Sequence, residues 1–279
     1  VLAAGALTLA PAPARAEDVI TTQEYLSYYH LDTARAKGYT GKGVTIALID
    51  GTVDTSAPEL KGANITDKSR CTIEAAPKDR GHGTAMASYL VAPAYGVAPD
   101  AALLTYQMST DDSTSAGSCD IGGNRLDTYD QIINQAIDDG AQIISISVGA
   151  PETDDSIKWA IARAMSRGVI IVNSAGNEGK DSNANQLSRW SGVVGVSAIK
   201  SDGSFADYSS WGNGITTSAL GEPFNRRDYA TGENITSAGT SNSAALVSGM
   251  LALARQKWPD ATANQILQVL THTGLNPNH

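Results

Sequence analysis

The sequence lacks the features that usually announce a nucleic-acid or cofactor protein. It has no run of lysine or arginine long enough to track a phosphate backbone, and its formal net charge is −9, so nucleic acid is not an expected partner. It has no Walker-type phosphate loop, no cluster of zinc ligands, no internal repeat and no low-complexity tract, so neither a cofactor nor a metal is expected. The apolar run near its start covers about ten residues, where about twenty are needed to span a bilayer. Aromatic residues are scarce at 6% while glycine, at 27 residues, is abundant, a composition that suits an α/β protein with tight crossovers and close helix-to-sheet packing.

What is present begins with size. With 279 residues, 42% of them hydrophobic, the chain can fill one large core rather than several small ones. Residues 1–16 are an apolar block followed by Ala14-Arg-Ala16, the small-x-small pattern of a signal-peptidase site without its charged leader. They read as a residual signal peptide with a mature start near Glu17, and the protein is expected to be secreted or at the cell surface. Residues 17–40 form a short N-terminal extension, and 41–279 the main domain. In an exported chain, Cys71 and Cys119 point to one disulfide, two separate thiols being the alternative.

Past the extension, apolar runs alternate with helical periodicity. Residues 44–49, 102–108, 142–147, 168–172 and 193–199 read as strands, the apolar ones of a kind buried on both faces. Residues 126–139 and 154–167 show helical spacing of their apolar positions, and a last helix covers about 262–273. This β-α-β-α-β alternation with short links implies a mainly parallel sheet with right-handed crossovers, hence an α/β fold.

Four polar residues stand at strand ends or helix starts with glycine beside them. Asp50 closes the 44–49 run, where open α/β sheets build their sites, although an Asp there can equally be turn chemistry. His82 lies between Gly81 and Gly83 at the start of an apolar helix, without neighbouring side chains for its ring to pack on. Asn177 follows the 168–172 run in a glycine-rich stretch that can also be read as a plain turn. Ser241 opens a helix after Gly239 and Thr240, a cap-like setting that also places a hydroxyl at the positive end of a helix dipole.

Together the four residues make chemical sense. A serine hydroxyl is too weakly acidic to attack an amide unaided, so it needs a base, and the base needs a carboxylate to fix its tautomer. The oxyanion that forms needs donors already in place. Ser241 is then the expected nucleophile, His82 the general base and acid, Asp50 the orienting carboxylate, and Asn177 with the Ser241 N–H the oxyanion hole.

Ala47-Leu-Ile-Asp-Gly-Thr-Val-Asp54, Gly81-His-Gly-Thr-Ala-Met-Ala87, Ser174-Ala-Gly-Asn-Glu-Gly179 and Gly239-Thr-Ser241 resemble the four signature blocks of the subtilases, in the family's chain order Asp, His, Asn, Ser. The resemblance spans roughly residues 38–273. It implies a subtilisin-like three-layer fold, with a central mainly parallel sheet flanked by helices, and endopeptidase action on a peptide or protein substrate. It further implies that Ser147, Val148 and Gly149 pair with substrate backbone, and that Ser174, Ala175 and Gly176 wall the pocket for the residue before the cut.

Some positions depart from the family pattern. Ala245 stands where the family usually has proline, and 91–95 is too short for the calcium-binding loop of well-known secreted members, so no calcium site is carried over. Residues 17–39 are too few for the usual folding propeptide. A short extension, export and a disulfide near the cleft look more like the mycosins, the membrane-anchored subtilases of type VII secretion systems. A membrane is then an expected partner only if the full-length chain carries a C-terminal anchor. The competing expectation is a non-catalytic subtilase-like module that binds peptide or scaffolds a secretion machine. An esterase with a nucleophile elbow is excluded, because Ser241 lacks the Gly-x-Ser-x-Gly frame and the residue order is wrong.

Overall fold

A computed structural model describes residues 19–71, 80–108, 119–122, 124–148, 154–181 and 187–273. The apolar run after Gly43 forms β1, Thr45–Asp50, which lies inside a seven-stranded sheet and is buried from its second residue onward. Ile46 and Leu48 point into one core and Ala47 and Ile49 into another, as the two-residue period of a strand requires when both faces are covered.

The other strands of the sheet are β2 (Ile65–Asp67), β3 (Ala102–Gln107), β6 (Ile143–Ile146), β7 (Ile170–Ser174), β8 (Val193–Ile199) and β9 (Ile215–Leu220). Their order is β2-β3-β1-β6-β7-β8-β9, and every pairing is parallel. Two short antiparallel pairs stand outside it: β4 (Asp120–Ile121) with β5 (Asn124–Arg125), and β10 (Phe224–Arg227) with β11 (Asn234–Ser237).

Helices α3 (Arg80–Val91) and α6 (Thr240–Lys257) pack on one face of the sheet, and α4 (Tyr129–Asp138) and α5 (Asp155–Ser166) on the other, which gives three layers. The remaining helices are α1 (Glu24–Tyr28), α2 (Leu31–Ala36) and α7 (Ala263–His272). The two helices on the far face begin slightly later than the apolar spacing predicts. Asp154 caps α5 by accepting from Ser156 N at 2.9 Å, and Thr262 forms a reciprocal capping box with Gln265 ahead of α7.

α6 is buried over most of its length, and its small polar residues are tied down. Ser243 Oγ donates to the carbonyls of Ala219 and Leu220 at 3.0 and 3.1 Å, and Ser248 Oγ donates to Ser145 Oγ at 2.9 Å. Gly249 is required at its place, since a Cβ there would lie 2.5 Å from Val97 Cβ.

The N-terminal segment joins the same core through Ile20, Tyr25, Leu26 and Leu31. Gln23 holds the backbone of Asn225 from both sides, Nε2 donating to its carbonyl at 2.7 Å and Oε1 accepting from its N–H at 2.9 Å. Cys71 and Cys119 are joined in a disulfide that ties the chain after β2 to the start of β4.

Candidate active site

The strand order changes direction between β1 and β6, because from β1 the chain builds outward through β3 on one side and through β6, β7 and β8 on the other. Such a switch point leaves a crevice at the carboxyl ends of the strands, where α/β proteins place their sites. Asp50 ends β1, Ser147 follows β6, Asn177 follows β7, and α6 brings Ser241 against the β6 end.

Asp50 is 1% exposed, and its Oδ1 accepts from Gly51 N–H at 2.7 Å. The same oxygen lies 2.8 Å from His82 Nδ1. A carboxylate can only accept, so Nδ1 carries the proton and Nε2 is left as a free base. Close packing around the ring pulls the His82 pKa down and Arg226 adds to that, but the charge and hydrogen bond of Asp50 outweigh both and raise it above its ordinary value. With 46% of the His82 side chain exposed, solvent screens these effects in part.

The glycine after His82 sets this approach. A Cβ on Gly83 would lie 2.7 Å from the Thr52 carbonyl oxygen and 2.9 Å from that of Gly51, in the backbone just after Asp50. Gly83→Ala is therefore expected to push α3 off the β1 end and lower stability by about 1–3 kcal/mol, as overpacking typically does. Urea unfolding beside a peptidase assay checks this; unchanged stability and turnover would show that the β1 end yields freely.

Ser241 is 8% exposed, the second residue of α6 after an extended Gly239. Its Oγ donates to the Ser147 carbonyl at 2.9 Å and not to His82. Ser147 Oγ in turn points at the Ser241 carbonyl, at 3.5 Å. The hydroxyl thus rests on the β6 end, and a change of staggered χ1 rotamer would redirect it.

Asn177 is set by a residue that sequence reasoning did not single out. Its Oδ1 accepts from Thr240 N–H at 2.8 Å and Thr240 Oγ1 at 3.0 Å, and Thr240 Oγ1 also accepts from Gly176 N–H at 3.1 Å. Because the Thr240 N–H needs an acceptor, the amide orientation is fixed, and Nδ2 is turned out with both hydrogens unused among the described residues. Gly239 leaves this approach open, its Cβ direction pointing to Asn177 Nδ2 at 3.5 Å. The signal for Thr240 was only its place before the serine.

The residues expected to contact substrate fall on two adjacent strand ends. Ser147 is buried and Val148 half-buried, the Val148 carbonyl accepting from Tyr129 Oη at 3.0 Å; Gly149 lies outside the described residues. Ser174 and Ala175 are buried, with Ala175 N–H donating to the Val196 carbonyl at 2.9 Å. Gly176 has φ of 100° and a Cβ would meet Glu178 Oε2 at 2.5 Å, while its carbonyl accepts from Ser210 N–H at 2.9 Å. The positive φ is what favours glycine there, since the Glu178 carboxylate lies at the end of a flexible side chain that can move.

The arrangement therefore offers a buried carboxylate, an imidazole with one basic nitrogen turned away from it, a hydroxyl at a helix start and an amide with spare donors. Among the described residues no group of three or more His, Cys, Asp or Glu side chains could hold a metal ion.

A family model described as the subtilase family matches residues 41–279. A thermostable alkaline protease of Halalkalibacterium halodurans is 31% identical over 254 residues, covering 89% of this chain and 66% of that protein. Subtilisin DY of Bacillus licheniformis is 27% identical over 256 residues, covering 88% of each chain. Among solved structures, MycP1 from Mycobacterium smegmatis superposes with a TM-score of 0.75 at 25% identity, covering 97% of this chain and 82% of that one. A second structure, of a serine protease MycP1 described as an essential component of the type VII (ESX-1) secretion system, has a TM-score of 0.72 at 26% identity, covering 90% of this chain and 82% of that one.

Proposed function

Because the chain belongs to the subtilase family, we propose that it is a secreted serine endopeptidase working through Asp50, His82 and Ser241. The observation that carries this reading is the 2.8 Å hydrogen bond between His82 Nδ1 and the buried Asp50, which in the neutral ring puts the proton on Nδ1 and leaves Nε2 free to accept one. Nε2 takes the proton of the Ser241 hydroxyl as Oγ attacks the scissile carbonyl. The resulting oxyanion is held by Asn177 Nδ2 and the Ser241 N–H. His82 then protonates the departing amine, and the acyl-enzyme is hydrolysed by water along the same proton route in reverse.

Extended peptides are the substrate this reading requires, gripped along 147–149 and with the side chain before the cut against 174–176. Export is supported by the leader-like residues 1–16 and by the Cys71–Cys119 disulfide, which fits an oxidising compartment. The likeness to MycP1, a serine protease of a secretion system, supports a protein substrate beside such a system, and a membrane anchor would have to lie outside the described residues, among which no helix is long and apolar enough to cross a membrane.

The test is labelling by a fluorophosphonate probe. Wild type should be modified at Ser241 while folded, and His82→Ala should not. A folded wild type that resists the probe under conditions that label a subtilisin would end the enzyme reading.

Asn177→Ala is expected to keep the fold and lower kcat by about 10²–10³, the loss that subtilisin itself shows when its oxyanion-hole asparagine is removed. KM should change little, because the donor is used mainly when charge develops on the oxygen. Steady-state kinetics on one peptide decide the point, and an unchanged kcat would remove Asn177 from the anion site.

A further inference from the structure

Arg226 lies on β10, whose Phe224 and Arg226 side chains share one face under the two-residue strand period. That face is turned to α3. Phe224 packs edge-on against Tyr89 with ring centroids 4.9 Å apart, and two turns nearer the helix start Arg226 covers Gly81, where a Cβ would lie 2.9 Å from Nη1. The next residue is His82.

This guanidinium has no acidic partner among the described residues. Its one hydrogen bond there is a long one, from Nη1 to the Arg227 carbonyl at 3.5 Å. Three carboxylates among the described residues of this region are already engaged: Glu59 Oε1 with Arg227 Nη2 at 2.9 Å, Asp50 with His82, and Asp54 Oδ1 with the N–H and hydroxyl of Ser56 at 3.0 and 2.6 Å. The first turn of a helix also disfavours a nearby cation. A half-buried arginine without an acidic partner among the described residues is thus held where it opposes both the helix dipole and the imidazolium that the reaction forms, in a chain with a net charge of −9. A local electrostatic rule broken without compensation is a mark of function.

We propose that Arg226 is a specificity-determining residue that receives a carboxylate on the substrate within the first three residues after the scissile bond. The choice of that side rests on the proposed hydrolysis. Residues before the cut lie along 147–149 and 174–176, on the β6 and β7 ends, whereas His82 hands its proton to the leaving amine. Arg226 stands beyond His82 on the side of α3 and β10. The carboxylate comes either from an Asp or Glu side chain or from a free C-terminus a few residues past the cut. Its binding also neutralises the cation that opposes protonation of His82, which couples recognition to the proton transfer.

Peptides paired as Glu against Gln at each of the three positions after the cut, and as C-terminal acid against amide, are assayed with wild type, Arg226→Gln and Arg226→Glu. For wild type at low salt, kcat/KM should favour the acidic member about five- to tenfold at one of these positions, the size of a partly exposed charge-assisted contact. The ratio should shrink with added NaCl, fall to about one in Arg226→Gln and invert in Arg226→Glu. Which pair shows the ratio identifies the source of the carboxylate.

A merely structural role would depress both members of each pair alike. It would also leave the pH profile in place, whereas removing a cation beside His82 should move the acid limb of kcat/KM on amide-capped peptides to higher pH. Among the described residues, Asp50 and Arg226 are the groups whose charge reaches the ring; Tyr89 and Tyr229 are both pushed up to about 12 and stay neutral in that range, and Arg227 is paired with Glu59. Equal acid-to-neutral ratios in wild type and Arg226→Gln overturn the proposal. If no peptide is cut by wild type, hydrolysis itself fails, and fluorescence-anisotropy binding of the same pairs to Ser241→Ala with and without Arg226→Gln decides the carboxylate site separately.

Discussion

Ser241→Ala is expected to lower kcat about 10⁶-fold with KM nearly unchanged, and His82→Ala to do the same, the size being that of subtilisins in which either group is lost. The reason is that neither side chain is useful alone. A hydroxyl whose hydrogen bond goes to the Ser147 carbonyl has no base until it turns toward His82, and an imidazole fixed by Asp50 has nothing to activate without the hydroxyl. The double variant should therefore be no slower than either single one. Residual hydrolysis of about 10³–10⁴ over water should survive in all three, because the Asn177 and Ser241 N–H donors remain. Purified enzyme of known concentration and a fluorogenic peptide provide the measurement. A loss below a hundredfold for Ser241→Ala, or losses that multiply in the double variant, would mean that the two groups do not form one proton-transfer unit.

How far this site could be read from the sequence depended on the length scale of what holds each part. β1, β6, β7 and β8 are legible because burial on both faces leaves a plain apolar signature, and the residues that follow them, Asp50, Ser147 and the 175–177 turn, are placed by the strands they follow. The α6 start is legible from its run of small residues, which only a buried helix packed close to a sheet would need.

The β10–β11 hairpin is the opposite case. Phe224-Asn-Arg-Arg227 and Asn234-Ile-Thr-Ser237 carry no alternating apolar pattern. What orders them lies far away in the chain: Gln23 gripping the Asn225 backbone, Tyr25 and Tyr89 against Phe224, and the Glu59 pair with Arg227. Propensity carries no trace of such contacts, so the place of Arg226 beside His82 could not be foreseen. β2 escaped for a related reason, being a three-residue edge strand with two exposed positions and little burial to mark it.

The same separation explains why the hydroxyl geometry differs from the simplest expectation. The pairing of Asp50 with His82 is fixed by backbone, by Gly83 seated on the Gly51 and Thr52 carbonyls. The position of the Ser241 hydroxyl is a single rotamer choice, and here the Ser147 carbonyl wins it. Backbone placement follows from the fold; a rotamer shared between two acceptors follows from which of them is free, and occupancy of the 147–149 edge by a peptide would compete for the Ser147 carbonyl.

Asp50→Asn should lower kcat about 10⁴-fold while leaving the fold intact, the size seen when the carboxylate of such a triad becomes an amide. The volume is the same, and the Gly51 N–H can still donate to the remaining carbonyl oxygen. What changes is the second oxygen. Gly51 N–H and His82 Nδ1–H both donate to Oδ1, so the amide oxygen keeps that place and Nδ1 its proton, while the amide nitrogen takes the place of Oδ2, a buried oxygen without a hydrogen-bond partner among the described residues. The variant also loses the negative charge that outweighs packing and Arg226 at His82, so the imidazole pKa should fall below that of wild type and the acid limb of kcat/KM should move to lower pH. Nuclear magnetic resonance of the ring nitrogens in both proteins reads tautomer and pKa directly, beside kinetics. Two results together are diagnostic, a ring proton retained at Nδ1 with a lowered pKa and a slower acylation step with KM held. A variant whose ring proton has moved to Nε2 would show that the amide nitrogen has turned to His82, and would assign the loss to the wrong tautomer rather than to the lost charge.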